Sequence, residues 1–450
     1  MRVLVVAANQ EHKPDPVVPL GAACVAAAAR DAGHTVALYD ACFAGERFES
    51  QLQHELRCFR PEVVGLSMRN VDDVAWPAAK SYLPHYRNCV AAIRRAAPGA
   101  KLVLGGSAFT LLPGQYLDEL AADHGVTGAG EVAFVDLLQQ VQAGSGPRLV
   151  QGRWGHGASG PALDLLDLGA YYRHGGALNV QTRRGCPFSC AYCTYPLLEG
   201  TRPQLLDIDS AIHQLERARR DCGAMHFFVV DNTFNHPASH AVAFCEALLA
   251  RGIDLRWTAY LSPAKLQPAL LHLMARAGCT SVEFGTDAGH AATLAGLDKS
   301  FGVHEIRQVS TAARAAGLKF AHSLILGGPG ETTETLAATV KLMDELTPDA
   351  VFAMLGVRLY PGTPLAQRLA AQGLVGPGGI GLQPSFFISE AVSDGLVEFA
   401  TAVAADRPRW YLPGLHGEKY ARFWKRKRTH GARGPLWELM SEQTSTLEAR

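Results

Sequence analysis

Two successive series of short β-branched runs, alternating with longer helical stretches, constrain what this 450-residue chain can fold into. The first series has apolar runs at 3–6, 35–40, 63–67 and 101–106, with an alanine-rich helix over 20–33. The second has six, at 178–181, 226–230, 255–260, 281–285, 319–325 and 350–354, separated by helices such as 208–222, 239–251 and 331–346. Short apolar strands spaced by helices predict parallel sheets covered on both faces. The fold class expected is therefore α/β: a doubly wound Rossmann-like domain, then an open or partial (β/α)6 barrel, then a short α-rich segment. Gly and Pro crowd the stretch between the two series from Ala143-Gly144-Ser145-Gly146-Pro147 onward, which reads as a linker. The boundaries expected are 1–143, a linker over 144–176, a barrel over 177–370 and a C-terminal segment over 371–450. Ligands of parallel sheets gather beyond the carboxyl ends of the strands, here loops 9–19, 67–73 and 105–113.

The second series begins with Arg183-Arg184-Gly185-Cys186-Pro187-Phe188-Ser189-Cys190-Ala191-Tyr192-Cys193. Three thiolates spaced C-x3-C-x2-C can hold three irons of a cubane 4Fe-4S cluster and leave the fourth iron open to a small molecule. Zinc sites use paired C-x2-C spacings and a fourth Cys or His, which is missing here. Gly185 and Pro187 keep the segment out of helix. The other seven cysteines are scattered, and Cys42, Cys58 and Cys89 do not fall at convergent loop ends, so no second cluster is expected. Ten cysteines behind a start that reads as a strand, broken at Asn9-Gln10-Glu11-His12-Lys13, suit a reducing, cytoplasmic setting. No apolar run reaches the ~18 residues of a membrane span. Lys+Arg and Asp+Glu both total 42, so no polyanionic partner and no nucleic acid is expected. The mixed cationic and aromatic runs at 407–411 and 423–428 read as a solvated helix with its aromatics packed on the barrel.

The cysteine run resembles the radical S-adenosylmethionine superfamily. That resemblance implies a 4Fe-4S cluster on Cys186, Cys190 and Cys193, with S-adenosylmethionine chelating the open iron and Tyr192 near the adenine. Asp231, Asn232 and Thr233 would hold the amino end of the methionine moiety. Glu283, Gly285 and Thr286 would meet the ribose hydroxyls, and Gly327 and Gly328 would let backbone approach the adenine. Leu359-Tyr360-Pro361-Gly362-Thr363-Pro364-Leu365 is a further family-like strand end. The first series resembles the cobalamin-binding domain that precedes one large radical S-adenosylmethionine subclass. The residues that carry this are Pro19 and Leu20 at the first helix, the loop Ser67, Met68, Arg69 and Asn70, then Gly105, Gly106 and Ser107, and finally Gly130 and Glu131. The resemblance spans roughly residues 1 to 370, and it implies that the C-terminal segment over 371–450 caps the active site.

The Asp-x-His-x-x-Gly motif that supplies a lower cobalt ligand in better-known cobalamin enzymes is missing; His12 lies in the right loop without its neighbours. Arg69 is expected to face the lower side of the corrin, where a permanent cation has no lone pair to offer cobalt. The competing expectation is a surface bridge from Arg69 to Asp72 or Asp73. Arg69 and Tyr192 are the residues expected to act in the reaction. The resemblance implies a methyltransferase that passes a methyl group from S-adenosylmethionine through methylcobalamin to a small organic substrate. The alternatives are a cyclase or rearrangement enzyme with the same cofactors, and a cobalamin- or cluster-binding sensor. A monomer served by an external electron donor of flavodoxin or ferredoxin type completes the expectation.

Overall fold

The computed structural model describes residues 1–154, 160–376 and 379–438. The rest of the expected linker (155–159) and of the C-terminal segment (377–378 and 439–450) lies outside the described residues.

The first module is a six-stranded parallel sheet of β1 (Arg2–Ala7), β2 (Thr35–Asp40), β3 (Val63–Ser67), β4 (Lys101–Gly105), β5 (His124–Gly128) and β6 (Leu149–Gly152), in the order β2-β1-β3-β4-β5-β6. Side chains alternate across a strand, so Val3, Val5 and Ala7 pack on one face with Ala22, Ala26 and Phe134, while Leu4 and Val6 pack on the other with Leu52, Leu56 and Ile93. The helix Leu20–Asp31 buries mostly alanine, which brings its backbone close to the sheet. Strand order reverses between β1 and β3, which opens a crevice at that point. The stretch read as a linker contains β6, an edge strand paired to β5. Its burial alternates between exposed and intermediate, too weak a pattern to read as a strand from sequence.

The second module contains β7 (Leu178–Val180), a small antiparallel ladder of β8 (Arg183–Arg184) and β9 (Gln204–Leu205), then β10 (His226–Val229), β11 (Arg256–Leu261), β12 (Cys279–Asp287), β13 (Lys319–Leu326) and β14 (Ala350–Leu355). A second ladder joins β15 (Val357–Arg358) to β16 (Phe386–Phe387), and β17 (Trp410–Tyr411) closes the list. The main sheet is parallel and runs β17-β14-β13-β12-β11-β10-β7, an open barrel. All six expected strands are in it, and the C-terminal segment supplies a seventh at the β14 edge. Val229, Trp257, Val282, Phe284 and Phe320 face the surrounding helices, while the alternate positions Phe228, Tyr260, Glu283, Ser323 and Phe352 face inward.

The C-terminal helix Pro413–Thr429 and the residues after it close one end of the barrel: Trp424, Leu436 and Trp437 pack on Ala321 and Ala350. Arg428, 5% exposed, reaches Asp15 of the first module at 2.8 Å. Some cations of the tail are engaged in structure: Arg407 pairs with Asp344 at 2.8 Å and Arg409 donates to the Pro348 carbonyl. Among the described residues no helix is long and apolar enough to cross a membrane.

Candidate active site between the two modules

A cavity of about 2620 Å³ lies between the carboxyl ends of the first sheet and the inside of the barrel. Ordinary small-ligand pockets are roughly 300–1,000 Å³, so this space accommodates a large cofactor together with a further ligand. Pro19, Leu20, Ser67, Met68, Arg69, Asn70, Gly105, Gly106, Ser107, Gly130 and Glu131 all line it. The loops after β3 and β4 are stitched together: Met68 N donates to Gly105 O at 2.8 Å and Ala108 N to Met68 O at 3.0 Å. Gly106 has φ +92°, and a Cβ there would lie 2.5 Å from Met68 O, so glycine is required for this approach. Tyr86 holds the Asn70 carbonyl at 2.6 Å from the other side.

These contacts fix the backbone that presents Arg69. Its side chain is exposed to the cavity, and among the described residues it makes no hydrogen bond or ion pair. Asp72 pairs instead with Arg358 at 2.8 Å, both buried, and Asp73 accepts from the Ala75 and Lys80 amides. The expected bridge from Arg69 to either aspartate is therefore not formed. The Arg69 charge reaches the phenols of Tyr195 and Tyr260 on the second module. His12 turns away: its Nε2 lies 2.6 Å from the Cys42 carbonyl and its ring packs on Phe43.

Arg183 and Arg184 are successive strand residues and so point in opposite directions. Arg183, 1% exposed, donates to Gly185 O at 2.7 Å, to Thr233 O at 2.8 Å and to Asn232 Oδ1 at 2.8 Å. Arg184 crosses to the first module, where it pairs with Glu131 at 2.6 Å and lies 4.3 Å from the Trp154 ring. Glu199 braces the loop from the far side, accepting from Gly185 N and Asn232 Nδ2, each at 3.0 Å. The sequence reading assigned these three no role. The Arg-Arg pair beside the first cysteine was the available signal, whereas Glu199 gave none.

Held this way, the three cysteines share one electrostatic environment. The thiols of Cys190 and Cys193 each feel Cys186 and one another. Burial pushes Cys193 up to about 12 and also raises Cys190, so these ligands give up their protons on binding iron. Cys186 is buried, with its Sγ 3.6 Å from Thr233 Oγ1. Among the described residues no three His, Cys, Asp or Glu side chains converge on a single ion. Cluster thiolates bind separate irons and need no such convergence. The loop thus suits a 4Fe-4S cluster.

Tyr192 donates to Asp287 Oδ2 at 2.6 Å, and Lys299 meets the same oxygen at 2.6 Å. Burial opposes the Lys299 charge, but Asp287 and the thiols of Cys190 and Cys193 outweigh it and hold its pKa above the ordinary value. Asp287 reaches this position because β12 slips register against β13 between Gly285 and Asp287, a bulge that re-aims its side chain.

Several residues expected to meet S-adenosylmethionine are otherwise engaged. Asp231, fully buried, accepts from Thr182 N at 2.7 Å, Thr182 Oγ1 at 2.5 Å and Arg183 N at 3.1 Å, so it anchors the chain entering the cysteine loop. Asn232 and Thr233 serve Arg183 and Glu199. Thr286 is buried and bonded to His322 at 2.6 Å. Gly327 packs against Leu396 and Ile388, and Gly328 against Leu297; none of these glycine contacts faces the cavity. A polar or small residue at a strand end is visible in sequence, but the partner that consumes it is not. Glu283 does line the cavity, and Gly285 opens on free space.

Residues 9–138 match the B12 binding domain family, and residues 180–343 match the Radical SAM superfamily. The chain is 24% identical to the tryptophan 2-C-methyltransferase of Streptomyces laurentii, over 81% of this chain and 74% of that protein. It is 25% identical to an uncharacterized methyltransferase of Pyrococcus horikoshii, over 83% and 84%. The solved structure of the radical S-adenosylmethionine methyltransferase TsrM from Kitasatospora setae, with cobalamin and a [4Fe-4S] cluster bound, superposes with a TM-score of 0.85 at 23% identity, covering 100% of this chain and 98% of that one. The cobalamin-dependent radical enzyme OxsB gives 0.72 at 15% identity, covering 100% and 75%. With both domains present in this order around one cavity, the chain belongs to the cobalamin-dependent radical S-adenosylmethionine enzymes.

Proposed function

We propose that this enzyme transfers the methyl group of S-adenosylmethionine, by way of cobalamin, to a small organic substrate. The observation that carries this reading is a cavity bounded by both modules, in which Arg69 and the loop 67–70 face the inner strand positions of the barrel. Cobalamin and the cluster supply methyl carriage and activation of S-adenosylmethionine; the chain positions them. Cys186, Cys190 and Cys193 would hold the cluster. Ser67, Met68, Asn70, Gly105, Gly106 and Ser107 would line the cobalamin, and Tyr192 with Gly285 would border S-adenosylmethionine. Arg69, held by its backbone and free at its guanidinium, offers the corrin no lone pair, which favours release of a methyl group over its retention. The names of the relatives support a small acceptor, since one is a tryptophan 2-C-methyltransferase and others act on a phosphonate and a hopanoid. A flavodoxin- or ferredoxin-type donor, a monomeric state and a cytoplasmic setting complete the proposal.

The test is anaerobic reconstitution with iron, sulfide and hydroxocobalamin, then turnover with S-adenosylmethionine deuterated in its methyl group. Label in a methylated product together with S-adenosylhomocysteine is the expected result. 5'-Deoxyadenosine with no methylated product would overturn the reading in favour of rearrangement.

A further inference from the structure

We propose that Lys299, anchored by Asp287, is a positioning residue for the electron affinity of the cysteine-loop cluster: its buried ammonium holds the cluster's reduction potential up, and the Asp287 carboxylate holds it down. This rests on the cluster that the loop suits and stands whichever product the enzyme forms.

The ammonium is held by a charge and two rings. Its Nζ meets Asp287 Oδ2 at 2.6 Å, the oxygen that also accepts from Tyr192 at 2.6 Å, and it lies 5.2 Å from the Phe301 ring and 5.9 Å from the Tyr192 ring. The Lys299 and Asp287 side chains are 7% and 5% exposed, so water and salt screen both charges weakly. The backbone between them is pinned to the cysteine loop, where Ala191 N donates to Leu297 O at 2.9 Å. The short helix Ala291–Gly296 is pressed onto the loop after β13: Thr293 bonds Glu331 at 3.2 Å, and a Cβ on Gly296 would lie 2.2 Å from Pro329 O. A charge pair held this rigidly keeps one orientation.

That orientation puts its positive end toward the sulfurs. Lys299 acts on the thiols of Cys190 and Cys193 and hydrogen-bonds Cys190, and at Cys190 its effect exceeds the opposing one of Asp287. An added electron makes a cluster more negative, so a near cation favours the reduced form and a near anion the oxidised form. Charge and hydrogen bonds at the ligand sulfurs are the protein's levers on this potential. The step is the uptake of one electron from an external low-potential donor, with no bond made or broken and no proton exchanged.

The full chain carrying cluster and cobalamin is titrated anaerobically with titanium(III) citrate. The potential is read from the low-temperature EPR signal of the reduced cluster, with iron content measured alongside. Lys299→Gln should make reduction at least about tenfold less favourable, a fall of about 59 mV or more. Asp287→Asn, which still accepts from Tyr192 and Lys299, should move it the other way by at least about threefold. Lys299→Arg, which keeps the charge, should stay within about threefold of wild type. Opposite shifts separate electrostatics from damage, because losing a merely structural bridge moves the Gln and Asn variants alike. An unchanged potential in Lys299→Gln, or shifts of one sign in both, would overturn the proposal. Should Lys299→Gln hold no iron, Asp287→Asn decides: a potential at or below wild type would overturn it.

Discussion

Arg183→Met keeps the length and apolar stem of a side chain that is 1% exposed, but removes every donor of its guanidinium. Three acceptors lose their partner: Thr233 O, Gly185 O and Asn232 Oδ1, at 2.8, 2.7 and 2.8 Å. An unmet buried acceptor costs about 1–3 kcal/mol, giving a gross loss of roughly 3–9 kcal/mol. Part returns because a charge no longer has to be buried, and because Thr233 Oγ1 still donates to Asn232 at 3.3 Å. The net is about 3–5 kcal/mol, the range for removing one partner of a buried charged pair. Against a total stability of about 5–15 kcal/mol, the module stays folded but loosened. Gly185 precedes Cys186, and Thr233 Oγ1 is 3.6 Å from its sulfur, so the first iron ligand is the first group to move. Urea unfolding of the cluster-free chain should show a lower midpoint with an unchanged slope. Reconstituted protein should hold less than about half the wild-type iron while retaining cobalamin, since among the described residues the Arg183 guanidinium bonds only within the second module. Arg183→Lys, with the charge but without the fork, should lose about half as much. Wild-type midpoint and full iron in the Met variant would refute the bracing role.

Arg184→Ala should leave Glu131 as an unpaired buried carboxylate and cost about 3 kcal/mol; a double-mutant cycle with Glu131→Gln that shows no coupling would deny that the pair joins the modules. Arg69→Ala should change stability by less than about 0.5 kcal/mol, because nothing is bonded to it, yet shift the visible spectrum of bound cobalamin. Gly106→Ala should cost about 3 kcal/mol by forcing a Cβ against Met68 O at positive φ, and reduce cobalamin retention in gel filtration. Glu283 has a folded pKa of about 7 against 4.5 for the ordinary group, so its contribution to stability is full below 4.5 and lost as pH rises through about 7. Glu283→Gln should therefore be more stable than wild type at pH 8, by at most about 3 kcal/mol, with the gain vanishing below about pH 4.5; a constant difference across that range would contradict the linkage.

The strands that carry compact apolar runs were legible because burial on both faces demands such runs. β5, β6 and β17 were not: β5 holds a single Val between glycines at 125 and 128, and edge strands of two to four residues bury too little to leave a pattern. The cluster ligands were legible for a different reason: three sulfurs on one short loop are close in space whatever the fold does around them. The residues assigned to S-adenosylmethionine depended on long-range partners. Asp231 is the right residue type for an ammonium, yet its acceptors are spent on Thr182 and Arg183, 49 and 48 positions away. Lys299 escaped notice because its relation to Tyr192 exists only after a bulge turns Asp287.

The same logic separates bracing residues from acting ones. Burying a charged group is tolerable when its bonding capacity is consumed, and Arg183 and Asp231 meet that condition inside the protein. Arg69 and the Glu283 oxygen that does not accept from Ser323 do not: each is held by well-bonded neighbours and left without a partner of its own among the described residues. They stand on opposite modules and line one cavity. A fold that satisfies polar groups this thoroughly around the cysteine loop, and leaves the Arg69 guanidinium and one Glu283 oxygen facing the space between, holds both open to ligands. Arg69 bears on the cofactor side and Glu283 on the barrel side, so their loss should affect different measurements: the cobalamin spectrum for the first and the pH dependence of stability for the second.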